Sequence, residues 1–334
     1  MSGGGGCGAH CAYRTASHCT AKAALAPHYR LNLAQLPSYL HSRVVTLTHD
    51  SETEAFLSTC QPRWLLDSLG DFLRCCLSLT DVNGLLGRGQ MFVLSRAHAR
   101  ALLGESLAAA QAAQGGPPLR LLDVGAGDGE VTARLASLAG SVHATEVSTF
   151  MARRLRSRGY TVCQGPSISK EVLPQDGAFD LVCMMNLLDR CDHPLDMLRD
   201  AARLARPGTG RILIALVLPY GEFVEEGTVR RGVRGPLPMG GARCRDGATL
   251  ETSLAAFVER VLLPLGLEVD KLSRLPYLCR GDSKQPFYVL SDAILVLRHA
   301  GAGESAWTAE HVHEATDRMM LLGDRVPTTI KIRM

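Results

Sequence analysis

Between Leu119 and Leu218 the apolar residues fall into two alternating patterns. Unbroken runs such as Leu181-Val182-Cys183-Met184-Met185 and Ile212-Leu213-Ile214-Ala215-Leu216-Val217-Leu218 suit strands covered on both faces. Between the runs lie segments whose patterning suits helices. The pattern predicts strand 119–124, helix 129–139, strand 141–146, helix 149–158, strand 160–164, strand 179–185, helix 194–206 and strand 211–218. Alternation of this kind implies a doubly wound, parallel α/β sheet. Further on, a Gly- and Arg-rich loop (221–248) precedes a helix near 250–263 and two closing strands near 267–275 and 287–298. With this closing pair the pattern makes a seven-stranded, Rossmann-like doubly wound sheet.

Upstream, residues 62–79 have helical apolar spacing interrupted by Asp67, Asp71 and Arg74, which reads as an amphipathic helix rather than a membrane span. Residues 81–92, with three glycines, read as a loop. Ser95 then caps a helix to about Ala113, and Gly115-Gly116-Pro117-Pro118 separates it from the first strand. The organisation is therefore a tail (1–49), a helical extension with a glycine loop (50–118), a catalytic domain (119–300) and a second tail (301–334).

Composition narrows the classes. The chain has 334 residues, 46% of them apolar, enough to bury a full core. A net charge of +3 with only 5% aromatic residues does not suit a nucleic-acid binder. Eleven cysteines, an odd number with Cys163 and Cys183 in predicted strands, read as reduced thiols of an intracellular protein. Cytoplasmic is the first reading, with mitochondrial or endomembrane association as alternatives. The first 49 residues lack Asp and Glu but carry Arg14, Lys22, Arg30 and Arg43, a composition shared by transit peptides and by plain disordered tails. Cys7, His10, Cys11, His18 and Cys19 match no zinc-finger spacing, so no metal site is expected.

The chemistry concentrates at Leu122-Asp123-Val124-Gly125-Ala126-Gly127-Asp128-Gly129-Glu130. A strand ending in a carboxylate and running into alternating glycines lets the backbone approach a ligand, since each glycine removes a blocking Cβ. About 20 residues on, Glu146 closes the next strand where a ribose diol would be gripped. A dinucleotide fingerprint requires a small residue where Glu130 stands, beside a pyrophosphate. S-adenosylmethionine has no phosphate and carries a sulfonium and an ammonium, so Asp123 and Asp128 are acceptable neighbours. The turn favours a class I methyltransferase over a dehydrogenase.

Residues just past the strand ends carry weight in such sheets. Asn186-Leu187-Leu188-Asp189-Arg190-Cys191-Asp192 sets an amide and two carboxylates after one strand. Asp192 reads as the cap of the helix opening at Pro194, whereas Asp189 has no such duty. His193 reads as a surface histidine, with a general base as the alternative. Tyr220 and Tyr277 either frame a pocket or are ordinary half-buried tyrosines.

Four segments together resemble the DREV family, the family of methyltransferase-like protein 9. They are Asn83-Gly84-Leu85-Leu86-Gly87-Arg88-Gly89, the glycine turn through Thr132, Asn186 to Asp192, and Leu275-Pro276-Tyr277-Leu278-Cys279. The resemblance runs from about Trp64 to Leu297. It implies methylation of the pros nitrogen of histidine in His-x-His segments of other proteins, with S-adenosylmethionine as cofactor. It further implies cofactor contacts at Asp123, Gly125, Glu146, Asn186 and Tyr277, with Gly127 in the same turn, and peptide contact at Asp189. The match departs at both ends: the family's hydrophobic amino terminus has no counterpart in the first 49 residues, and 301–334 is extra. His311-Val312-His313 in that tail spells the modified pattern, either by chance or as a built-in substrate or competitor.

A neutral imidazole is nucleophilic enough to need only orientation and a proton acceptor for its other nitrogen. Asp189 accepting the tele N–H would leave the pros lone pair for the methyl. The alternatives are a methyltransferase acting on another protein or a small molecule, and an inactive cofactor-binding interaction protein. The intact Asp123, Gly125 and Glu146 weigh against the last.

Overall fold

A computed structural model describes residues 23–61, 64–73, 79–226, 229–281 and 285–301. The helices are α1 (Ser38–His41), α2 (Ser51–Thr59), α3 (Trp64–Leu73), α4 (Leu79–Leu86), α5 (Arg96–Ala113), α6 (Glu130–Leu135), α7 (Thr149–Ser157), α8 (Pro194–Leu204) and α9 (Leu250–Phe257). The strands are β1 (Met91–Phe92), β2 (Arg120–Val124), β3 (Ser141–Glu146), β4 (Thr161–Gln164), β5 (Leu181–Met185), β6 (Arg211–Val217), β7 (Val224–Glu226), β8 (Val229–Arg231), β9 (Leu267–Arg280) and β10 (Phe287–His299). All belong to one unit, Met1–His299. Ala300–Met334 is a second unit, of which only Ala300 and Gly301 are described. Cys7, His10, Cys11, His18, Cys19, His311 and His313 lie outside the described residues.

One eight-stranded sheet has the order β1-β9-β10-β6-β5-β2-β3-β4. Strands β2 to β6 are parallel, and β10 runs antiparallel to both β6 and β9. The fold is that of a class I methyltransferase, with the two-residue β1 added at the edge of the seven strands expected. The apolar runs explain the layering: with a side-chain period of two, Val182, Met184, Ile212 and Ile214 enter one core. Leu181, Cys183, Leu213 and Ala215 enter the other. Helices α8 and α9 close the first face and α5 the second. Ser95 caps α5 as expected, its hydroxyl accepting from the His98 N–H at 3.0 Å.

Several expectations need correction. The stretch 81–92, expected to be a loop, begins with helix α4. Val82 is fully buried, and Gly84 lets α7 approach so closely that a Cβ there would lie 3.0 Å from Phe150 Cβ. Only Gly87 and Gly89 take positive φ, and they end the helix. The loop 221–248 contains the β7–β8 hairpin. Strand β9 runs on to Arg280 through Pro276, because β1 pairs only with Leu278 and Cys279, beyond the residue that lacks an N–H. Residues 23–49 are not a free tail: Leu25, Tyr29, Leu36, Leu40 and Leu47 are buried in the two cores. The missing acidic residues masked this apolar spacing.

Among the described residues, no helix is long and apolar enough to cross a membrane, and no group of three or more potential ligands is placed to hold a metal. Cys60, Cys163, Cys183, Cys191, Cys244 and Cys279 are free thiols.

Candidate functional site

The carboxyl ends of β2, β3 and β5 lie side by side in the sheet. Past β2, Gly125, Gly127 and Gly129 have φ of 70°, 57° and 78°, a region costly for any residue with a Cβ. At Gly125 a Cβ would come within 2.8 Å of Leu187 Cδ1, whereas the space beside Gly127 is open to 4 Å. The turn is fastened to the end of β3. The Gly125 N–H donates to Thr145 Oγ1 at 3.2 Å and the Ala126 N–H to the Thr145 carbonyl at 3.0 Å. Glu146, 5% exposed, accepts from the Gly127 N–H at 2.9 Å through Oε2 and from the Ser148 N–H at 2.8 Å through Oε1. One carboxylate thus fixes the loop, and each of its oxygens keeps a second lone pair.

Asp123 is buried beneath this turn. Its Oδ2 accepts from Thr132 Oγ1 at 2.6 Å and its Oδ1 has no hydrogen-bond partner. Burial, against the lowering effect of the Thr132 bond and with the nearby Glu146 charge added, pushes its carboxyl up to about 7.

After β5, Asn186 turns the chain with φ of 58°, the one positive value among described non-glycine residues. Its amide Nδ2 donates to Asp292 Oδ2 at 2.8 Å, leaving Asn186 Oδ1 unpartnered. Asp189 is 1% exposed. Arg190 Nη1 forms an ion pair with its Oδ2 at 2.6 Å, and its Oδ1 has no hydrogen-bond partner. Burial raises the Asp189 carboxyl to about 6, with Arg190 opposing the rise and Glu222 adding to it. Tyr277, on β9, is buried with its hydroxyl against Met91 Sδ. Burial raises its phenol, with the charges of Asp292 and Asp189 contributing.

The predicted residues therefore gather into two adjoining groups: Asp123, Gly125, Gly127 and Glu146 at the turn, and Asn186, Asp189 and Tyr277 toward β9 and β10. Asp192 does not cap α8. Its carboxylate takes two bonds from Arg231, Nη1 at 2.6 Å and Nη2 at 2.8 Å, and sits near 2 because of them. The N-cap is His193, which makes no side-chain bond, and Pro194 opens the helix unaided. His193 is exposed. Tyr220 is fully buried and its hydroxyl donates to the Leu188 carbonyl at 3.1 Å, so it braces the Asn186–Asp192 loop from below.

Sequence reasoning missed Asp292, Phe223 and Asp81. Asp292 had a signal, a lone carboxylate inside the apolar run Val289–Leu297. It is fully buried, and burial drives its carboxyl far above the usual range. Asp81 accepts from Ser148 Oγ at 2.6 Å and so ties α4 to the residue that caps α7. Only the fold reveals that pairing.

Four buried oxygens, on Asp123, Asn186, Asp189 and Asp292, lack a hydrogen-bond partner among the described residues, and all are acceptors or carboxyl groups. Each unmet group costs about 1–3 kcal/mol. A ligand with cationic and N–H groups fits such a donor-poor site, and the open side of Gly127 gives it room.

The DREV methyltransferase family model matches residues 28–299. Among solved structures, the [4+2]-cyclase SpnF is 18% identical with a TM-score of 0.39, covering 72% of this chain and 98% of its own. A Bacillus halodurans putative methyltransferase is 15% identical with a TM-score of 0.38, covering 59% and 100%. The Burkholderia thailandensis 1,6-didemethyltoxoflavin-N1-methyltransferase, solved with S-adenosylhomocysteine, is 19% identical with a TM-score of 0.36, covering 60% and 78%. At these scores the structural likenesses carry no argument about substrate.

Proposed function

The chain belongs to the DREV methyltransferase family, and from that premise we propose that it transfers a methyl group to the pros nitrogen of histidine in His-x-His segments of other proteins. Its cofactor is S-adenosylmethionine, which supplies an electrophilic methyl on a sulfonium. In this reading Glu146 accepts the ribose hydroxyls with its remaining lone pairs, and Gly125 and Gly127 admit the ligand to the backbone. Asp123, Asn186 and Tyr277 line the cationic end.

Asp189 carries the reading. Its Oδ2 is engaged by Arg190 and its Oδ1 has no partner, which suits an acceptor that brings its own N–H. With the carboxyl near 6, Asp189 is ionised at neutral pH. It then accepts the tele N–H of the ring, presents the pros lone pair, and stabilises the cation that forms as the methyl arrives. A charge-assisted hydrogen bond of this kind is worth about 1.5–3 kcal/mol. Incubating His-x-His peptides with the protein and isotopically labelled cofactor, followed by fragment mass spectrometry, tests the assignment. Label on the pros nitrogen is the expected result, and label on no histidine removes it.

A further inference from the structure

Phe223 lies between β6 and β7, on the Gly- and Arg-rich loop, and touches the Asp189–Arg190 pair by two routes. Its backbone N–H donates to the Asp189 carbonyl at 3.0 Å. Its ring carries the Arg190 guanidinium 3.9 Å from the centroid. The Arg230 guanidinium lies 4.3 Å from that same centroid. Arg190 in turn uses one nitrogen, Nη1, to reach both the Asp189 carboxylate at 2.6 Å and the Asp189 carbonyl at 3.0 Å.

We infer that Phe223 is a positioning residue, holding the Arg190 guanidinium against Asp189 Oδ2 so that Oδ1 is the oxygen left for a donor on the methyl acceptor. The inference rests on the role proposed for Asp189. The physical need is plain. Asp189 is buried and Arg190 is one-third exposed, so the guanidinium is drawn toward water unless something fixes its plane. An aromatic face does so through its quadrupole as well as by contact. Repulsion between the two arginines on one ring is offset by Glu225, whose Oε1 lies 3.3 Å from Arg230 Nη2.

The surroundings of Asp189 show what Arg190 contributes. The groups that interact with it by charge are Arg190 and Cys191 on its own loop, Glu222 and Tyr220 after β6, Tyr277 on β9 and Asp292 on β10. Arg190 is the cation of that set. With its hold loosened, Asp189 loses its nearest cation, while Glu222 stays paired with Arg243 at 3.3 Å, and burial then keeps the Asp189 proton on to higher pH.

Full-length protein labelled with ¹³C-carboxyl aspartate gives the test, the Asp189 signal being identified by its loss in Asp189→Asn. The wild-type midpoint lies near 6. Arg190→Gln moves it up by about one pH unit, Phe223→Leu moves it the same way by less, and Phe223→Tyr, which keeps an aromatic face, leaves it in place. The acid limb of kcat/KM on a His-x-His peptide follows the same order, read beside the substrate imidazole's own titration near ~6.5. An unmoved Asp189 midpoint in folded Phe223→Leu overturns the inference. If that variant does not fold, an unmoved midpoint in Arg190→Gln does so. A shifted midpoint in a protein that methylates no histidine peptide upholds the positioning role and removes the histidine reading instead.

Discussion

The glycine turn and the Asn186–Asp192 loop follow neighbouring strands, β2 and β5, yet they hold their carboxylates by different means. At the turn, Glu146 is fixed by backbone N–H groups of Gly127 and Ser148, and the bonds to Asp123, Gly125 and Glu146 lie between residues 123 and 148. At the loop, the side chains of Asn186, Asp189 and Asp192 are held by other side chains, two of them distant in sequence. Asn186 depends on Asp292, 106 positions away, and Asp192 on Arg231, 39 away. A site held by backbone is preset by the turn itself, whereas one held by side chains changes with any of several remote substitutions. On the function proposed, the backbone-held turn is the constant part of the site, and the loop that carries both Asn186 and Asp189 is the tunable part.

The sharpest way to separate the two ends is Asp189→Asn. The amide can orient a ring but does not offset the developing imidazolium, so turnover on a histidine peptide should fall by about 100-fold or more. Affinity for S-adenosylmethionine, measured by calorimetric titration, should stay within about twofold. Wild-type turnover with label still confined to the pros nitrogen would make Asp189 structural.

The converse is Glu146→Ala. Loss of hydrogen bonds to a charged acceptor, about 1.5–3 kcal/mol, weakens cofactor binding by roughly 10- to 150-fold. Because Glu146 also holds the Gly127 and Ser148 amides, Glu146→Gln, which restores one acceptor, should recover part of that loss. Equal affinity in all three proteins would move the ribose contact elsewhere.

Asp123 tests whether the preset end stores instability. Its folded carboxyl is raised to about 7, against about 3.9 in an unfolded chain. The folded state therefore binds this proton more tightly, so stability declines as pH rises through that window and levels off above it. Without cofactor, Asp123→Asn should raise the melting temperature by a few degrees at pH 8 and by less at pH 5. Calorimetric melts at the two pH values check the sign, and a larger gain at pH 5 would refute it.

The smallest effect is expected at the rim. Arg231→Ala frees Asp192 from a solvent-screened surface pair that contributes little to stability. KM for peptide should change by a few-fold while cofactor affinity is unchanged. A large drop in cofactor affinity would break the division between the ends.

How far the sequence reached follows the same division. Apolar spacing fixed β3 to the residue, and the glycines and Glu146 marked the turn, because strand burial, positive φ and an acid closing the next strand are local requirements written in local spacing. Helix α8, read as 194–206, was legible for the same reason. Helix α4 was not, since Gly84 looks like a loop residue until α7 is packed against it. Nor was the true role of Asp192, which a local reading assigns to the nearest helix and the fold gives to Arg231. The chain's sequence by itself determined the sheet, its turn and the acids at its strand ends. Only the tertiary structure decided that Asp292 meets Asn186 and that Phe223 reaches Arg190. Such pairings join side chains whose separation along the chain leaves no periodic trace, and they exist only once the sheet has brought β10 and the β6–β7 connection to the same end of the molecule.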